Sequence, residues 1–241
     1  MRFSTWAAQN NLTQPNTPDV VLFSDTFTEF LEPQIGIAAV KVLQACGLKV
    51  QVLPWSCCGR TAISKGFLDL ARSQIKKLHS SLSYCKCPVI ILEPSCFSVF
   101  MDEAPDLGYP FSAPILFEEF LLSHISKLEN KLKRAPYPIA IQKHCHLKAN
   151  TILPQLLRAI PDAQIIPLES GCCGMAGSFG YESEHVEISQ KIFDRDVGNK
   201  LKLCDKLTIT VANGTSCRAQ IRRFQPSKVL HVAELFSQVL K

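Results

Sequence analysis

The sequence predicts an α/β fold of two pseudo-repeated lobes, each a small parallel sheet with flanking helices and Cys-Cys-Gly loops at the strand carboxyl ends. Three observations lead there. Short apolar runs alternate with amphipathic stretches, which is the order of strand–helix–strand units. The whole pattern occurs twice along the 241 residues, so the chain is first read as a repeat. Each copy carries Cys-Cys-Gly after its second apolar run, as Cys57-Cys58-Gly59 and Cys172-Cys173-Gly174.

Residues 1–18 are polar around Gln9-Asn10-Asn11 and hold two prolines, so a flexible N-terminal tail is expected. Val20–Phe23 then opens the first copy, and Ile139–Ile141 opens the second. Ile35, Ala38, Ala39, Val42, Leu43 and Cys46 keep the spacing of one helical face, and Gly47 stops that helix. The second runs are Val50–Leu53 and Ile165–Leu168, each leading into its cysteine pair. Leu68, Ala71, Ile75 and Leu78 mark another helix. The third runs, Val89–Leu92 and Leu207–Val211, end in Ser95-Cys96 and Ser216-Cys217. Phe117, Phe120, Leu121, His124 and Leu128 predict a linker helix over 113–135. The lobes are therefore expected over 19–112 and 136–241, the second closed by a helix near Ala233–Leu240 with His231 packing or capping at its start.

Composition narrows the function classes. An apolar fraction of 46% and a charged fraction of 20% suit an ordinary globular chain. The net charge is +5, but Lys76-Lys77, Lys131-Lys133-Arg134 and Arg222-Arg223 are short scattered groups. They read as a solvated surface, and no nucleic-acid partner is expected. No apolar run is long enough to cross a bilayer. Arg2 is not followed by the apolar core of a secretory signal. The expected location is cytoplasmic, with peripheral contact at the inner membrane face through a partner.

Eleven cysteines are the anomaly. In a reducing compartment so many thiols point to metal or redox chemistry rather than to disulfides. Adjacent cysteines make a strained disulfide ring, but two adjacent thiolates can bind neighbouring metal atoms of one cluster. The glycine after each pair lets the backbone turn at positive φ. Cys96 and Cys217 stand before expected helical turns, where N–H groups favour the thiolate. Ligands of open α/β sheets bind at the strand carboxyl ends, so distant segments deliver their thiols to one place. The metal-ligating set is Cys145, Cys172, Cys173 and Cys217 in the second lobe and Cys57, Cys58 and Cys96 in the first. Thr26 occupies the place of Cys145, so the second lobe is the expected cluster site. The first either uses Asp25 or Glu93 or holds no cluster.

Around these stand further candidates for the cofactor. Gly174 and Gly177 lie in the loop Gly174–Gly180 ahead of a helix, and bring backbone N–H groups to the cluster sulfurs. Arg60 and Arg218 follow cysteine sites and offer positive charge. His144 and His146 flank Cys145. Cys46 and Cys204 read as small buried hydrophobes, and Cys85-Lys86-Cys87 as incidental thiols with no counterpart in the second lobe.

These phrases resemble the CCG, or cysteine-rich, domain family, which occurs in heterodisulfide reductase and in the iron–sulfur subunits of glycolate oxidase and glycerol-3-phosphate dehydrogenase. The likeness is narrower to the C-terminal iron–sulfur part of FAD-linked D-lactate or D-2-hydroxyglutarate dehydrogenase-like enzymes. It rests on Asp25-Thr26-Phe27, Cys57-Cys58-Gly59-Arg60, Glu93-Pro94-Ser95-Cys96, His144-Cys145-His146, Cys172–Glu182 and Gly214-Thr215-Ser216-Cys217-Arg218. The resemblance implies an iron–sulfur cluster of the 4Fe–4S type and an oxidoreductase component for electron transfer rather than a complete enzyme. It implies partners too: an FAD-binding dehydrogenase subunit or domain and a ferredoxin-like iron–sulfur protein, with no FAD in this chain. The chain departs from the wider family in having Glu93-Pro94-Ser95-Cys96 and Gly214-Thr215-Ser216-Cys217 where Cys-x-x-Cys is usual. The same residues also allow a cluster-based thiol/disulfide reductase subunit, or a zinc-stabilised interaction module in which Cys145, Cys172 or Cys173, Cys217 and His146 bind zinc.

Overall fold

The computed structural model describes residues 1–14, 17–83, 85–147, 151–225 and 227–241. Two compact units emerge, Met1–Asn130 and Lys131–Lys241. The first contains a four-stranded sheet of β1 (Val20–Leu22), β2 (Val50–Val52), β3 (Val89–Ile91) and β4 (Pro114–Leu116), in the order β2-β1-β3-β4. The second contains β5 (Ile139–Ile141), β6 (Ile165–Pro167), β7 (Ile209–Val211) and β8 (Val229–Leu230), in the order β6-β5-β7-β8. Every pairing is parallel. The two-lobed α/β expectation holds, and the repeat extends to the strand order.

The sequence explains which strands are central. β1, β3, β5 and β7 are three-residue apolar segments buried throughout, as strands covered on both faces must be. β2 and β6 have partly exposed positions and lie at the edges. The order reverses between β1 and β3 in one unit and between β5 and β7 in the other. This is the switch point where the loops after neighbouring strands diverge and leave a crevice.

Helix Pro33–Ala45 buries Ile35, Ala38, Ala39, Val42 and Leu43 and ends at buried Cys46. Gly47 then leaves it at φ 83°. Helix Leu68–Leu82 buries Ala71, Ile75, Leu78 and Leu82, while Leu68 faces outward at its first position. The last helix is Val232–Val239, capped by His231, whose Nδ1 accepts from the Ala233 N–H while Glu234 reaches back to the His231 N–H.

Three expectations need correction. Each sheet has four strands, not three: β8 has only two residues, and β4 opens on Pro114, a residue tolerated at a sheet edge, within the range read as a linker helix. The single helix expected over 113–135 is instead β4, a short helix Phe117–Ser123 and a 3-10 turn Ile125–Leu128. The tail is also wrong in part: Phe3–Gln9 is a helix with Phe3 and Ala7 fully buried, although residues 15 and 16 lie outside the described residues.

That helix docks through specific contacts. The Phe3 ring fills the space over Gly36, where a Cβ would come within 2.7 Å of it. The Ser4 N–H and hydroxyl donate to buried Glu29 at 2.9 and 2.6 Å. Truncating a fully buried phenylalanine costs about 3 kcal/mol or more. Phe3→Ala should therefore lower unfolding free energy by about that amount in urea titrations, whereas a loose tail would leave the midpoint unchanged.

Among the described residues no helix is long and apolar enough to cross a membrane.

Candidate metal centre

In the first unit three thiols meet at the carboxyl ends of β2 and β3. Cys58 Sγ donates to Cys96 Sγ at 3.0 Å, far beyond the ~2.05 Å of a disulfide. Cys57 is hydrogen-bonded to Cys58. The turn holding the pair depends on Gly59, at φ 89°. There the Gly59 N–H donates to Cys57 Sγ at 3.5 Å, and the Arg60 N–H donates to the Cys58 sulfur. The Ser56 N–H also donates to the Ser24 carbonyl, tying this loop to the end of β1. Cys96 is the third residue of helix Pro94–Ser98.

The second unit repeats this arrangement. Cys172 is hydrogen-bonded to Cys173, and Cys173 to Cys217. Gly174 takes φ 89° and donates its N–H to Cys172 Sγ at 3.3 Å. The Met175 N–H donates to the Cys173 sulfur, and the Ala176 N–H to the Cys172 sulfur. Cys217 is the third residue of helix Thr215–Phe224. The Ser170 hydroxyl donates to Gln142 Oε1, joining the cysteine loop to the end of β5.

The ends of β5 and β7 also meet. A Cβ on Gly214 would run into the His144 ring and lie 3.4 Å from Cys217 Sγ. Buried His144 therefore sits beside Cys217, and its Nδ1 accepts from the His146 N–H at 3.3 Å. His146 and Cys145 are exposed in the turn Cys145–Leu147. In the first unit Thr26 holds the station of Cys145, four residues beyond the central strand in both cases. There the Thr26 hydroxyl hydrogen-bonds Cys57 and accepts from Trp55 Nε1 at 3.3 Å.

The surroundings oppose ionisation of these thiols. The bond with Cys58 first, then burial, pushes Cys57 up. The bond with Cys57 favours the Cys58 thiolate, but the bond to Cys96 and burial outweigh it. Cys96 is favoured as thiolate by Cys58, yet burial and the carboxylates of Asp25 and Glu93 raise it to about 11. The helix start was expected to lower it, but a helix of five residues is outweighed by that burial and those negative neighbours. Cys172 is raised by Cys173 and by burial, and Cys173 is likewise raised once Cys217 and burial overcome the Cys172 bond. A thiophilic metal would displace these protons.

Asp25 and Glu93 mark the difference between the units. Asp25 is buried, and its carboxylate accepts from the Phe27 and Thr28 N–H groups at 2.8 and 3.1 Å and from the Thr28 hydroxyl at 2.6 Å. Burial first, with Glu93 nearby, raises its pKa from 3.8 to about 6 despite those bonds. The folded value exceeds the unfolded one, so the native state binds more protons between these values and stability falls as pH rises through them. The metal-free protein should lose about 2 kcal/mol from this group between pH 4 and 7. In Asp25→Asn, which keeps an acceptor for both N–H groups, that part of the slope should vanish. Parallel denaturation curves for the two proteins across this range would refute the assignment.

The two arginines are braces. Arg60 donates to the Ser95 carbonyl at 3.1 Å and the Ser98 hydroxyl at 2.7 Å and pairs with Glu103 at 2.6 Å, linking the cysteine loop to the Cys96 helix. Arg218 is only 2% exposed and donates to the Ala212 and Asn213 carbonyls at 2.9 and 2.6 Å and to the Thr215 hydroxyl at 3.0 Å, fixing the loop after β7. Gly177 adopts φ 69°, but two 3-10 turns, Phe179–Tyr181 and Ser183–His185, separate its loop from helix Val186–Phe193. Gly214, Trp55 and the Thr26 hydroxyl escaped the sequence reading, since only the approach of distant segments gives them a role.

The donor set suits a sulfur-ligated centre. Each unit aligns three thiols, with backbone N–H groups aimed at the sulfurs, as thiolate-held clusters require. Among the described residues no group of three or more His, Cys, Asp or Glu is already disposed to hold a metal ion, and a closed mononuclear zinc site has no support.

Fold and site together define a duplicated α/β protein with six of its eleven cysteines gathered, three to a unit, beyond the strand ends of two parallel sheets. Residues 139–222 match the family model of the CCG cysteine-rich domain. It is 28% identical to D-2-hydroxyglutarate dehydrogenase of Pseudomonas putida over 230 residues, covering 91% of this chain and 22% of that protein. It is 31% identical to one subunit of the anaerobic glycerol-3-phosphate dehydrogenase of Escherichia coli over 193 residues, covering 72% of this chain and 47% of the relative. With lactate utilization protein A of an Exiguobacterium species the identity is 23%, over 93% of this chain and 99% of the relative. The chain thus spans less than half the length of the first two.

Proposed function

We propose that this chain is an iron–sulfur electron-transfer module of a flavin-linked dehydrogenase acting on a 2-hydroxy acid. The observation that carries the reading is the contact chain Cys172–Cys173–Cys217 inside the cysteine-rich domain. In this reading Cys145 completes the set from the end of β5, and the second unit holds a 4Fe–4S-type cluster. The cluster supplies one-electron storage. The protein's own residues hold the thiolates, direct the Gly174, Met175 and Ala176 N–H groups at them and place His144 against Cys217. In the first unit the carboxylates of Asp25 and Glu93 add negative charge where Cys145 has no equivalent, which disfavours a second anionic centre.

The relatives named for D-2-hydroxyglutarate, glycerol 3-phosphate and lactate support a small hydroxylated substrate oxidised by a partner. The partners proposed are an FAD-binding dehydrogenase subunit or domain and a ferredoxin-like iron–sulfur protein, with peripheral membrane association through them. Anaerobic purification followed by iron, sulfide and zinc analysis and a visible spectrum tests the reading. Iron and sulfide with absorbance bleached by reduction are expected. A colourless protein with stoichiometric zinc would overturn it.

A further inference from the structure

A second thiol pair stands apart from both clusters. Cys85 Sγ and Cys87 Sγ are 3.6 Å apart, and Cys85 Sγ donates to the Cys87 carbonyl at 3.5 Å. Both residues are partly exposed. Cys87 lies two residues before β3, at the amino edge of the sheet, while Cys96 follows the carboxyl edge of the same strand. Cys85 also lines a cavity of about 270 Å³, walled by His79, Phe100, Pro110, Phe111 and Pro114. Exposed Lys86 stands between the two cysteines in the sequence, a positive charge that attracts an anionic disulfide.

We propose that Cys85 and Cys87 form a redox-active dithiol that closes to a disulfide by exchange with a low-molecular-weight anionic disulfide. The Cys85 thiolate attacks one sulfur of the small disulfide, forming a mixed disulfide and expelling one thiolate. Cys87 gives up its proton and attacks the Cys85 sulfur, expelling the second thiolate. Two protein thiols are oxidised to one disulfide, the small disulfide is reduced to two thiols, and the protons lost by the cysteines balance those the leaving thiolates take up. Burial, with the bond to Cys85, raises Cys87 to about 11, so Cys87 is held as the thiol and acts second. The sulfurs start 3.6 Å apart and must close to about 2.05 Å in the disulfide.

The test uses the anaerobically purified protein with its bound iron, oxidised glutathione as probe, alkylation of the remaining thiols and peptide mapping. Cleavage after Lys86 separates the two cysteines, so their peptides stay joined only through a disulfide. A Cys85–Cys87 cross-link with unchanged iron and sulfide is expected. Cys85→Ser should form no cross-link, and Cys87→Ser should stop at the glutathione adduct on Cys85. Full alkylation of both thiols after exposure, a cross-link from Cys85 to Cys96 instead, or loss of iron in step with oxidation would each overturn the proposal. The cross-link itself is read whether or not iron is found, so its failure is distinct from failure of the electron-transfer reading.

Discussion

Cys172→Ser should remove most of the iron and visible absorbance from the anaerobically prepared protein, while Cys46→Ser should leave both unchanged. Cys172 is half-buried, accepts the Gly174 and Ala176 N–H groups and contacts Cys173. Its hydroxyl replacement keeps the size but offers a hard, weakly acidic oxygen in place of a thiolate. Loss of a first ligand should exceed the tenfold to hundredfold loss of affinity that follows removal of a mere supporting contact. Cys46 is buried at the end of helix Pro33–Ala45, where a small apolar group suffices. Iron per chain, sulfide per chain and circular dichroism on both variants decide the matter. Equal iron loss from the two, or full iron retention in Cys172→Ser with native dichroism, would refute the site. Cys57→Ser should behave like Cys46→Ser if the second unit alone is loaded.

Gly174→Ala should be among the most damaging single-methyl additions in the protein. The residue is at φ 89°, and a Cβ there would strike the Ser189 carbonyl, a backbone atom that cannot swing aside, and come within 3.2 Å of Gln220 Nε2. Left-handed backbone costs an alanine about 1–2 kcal/mol, and displacing the helix that carries Ser189 adds to this, for a total of about 3 kcal/mol. Gly47 provides the control. It has φ 83°, but nothing lies within 4 Å of the added methyl, so Gly47→Ala should cost only about 1 kcal/mol. Urea unfolding of the two metal-free variants measures the difference. Because Gly174 also aims its N–H at Cys172, Gly174→Ala should lose iron as well as stability. Equal destabilisation by the two substitutions would show that the turn rearranges freely.

Much of the site was legible because its signals are local. Cys57-Cys58-Gly59 and Cys172-Cys173-Gly174 announce their positive-φ turns within three residues, and both glycines adopt that conformation. The buried β1, β3, β5 and β7 were visible as apolar runs, and the cysteines follow strand ends as the repeat requires. What failed was short or distant. β8 has only two residues, and β4 opens on Pro114 and runs directly into helix Phe117–Ser123, so it was absorbed into the expected linker helix. Phe3–Gln9 looked polar because its burial depends on Gly36 and Glu29, some thirty residues away.

By itself, the order of residues determined the duplicated α/β plan and which thiols follow corresponding strand ends, since repeats, periodicity and glycine-closed turns are carried by neighbouring residues. Only the tertiary structure decided how those thiols are tuned. Burial of Asp25 and Glu93 beside Cys96, the wedge of His144 over Gly214 and the enclosure of Arg218 among loop carbonyls arise between segments far apart in the chain. Electrostatic energy depends on such distances and on exclusion of water, neither of which a linear pattern contains.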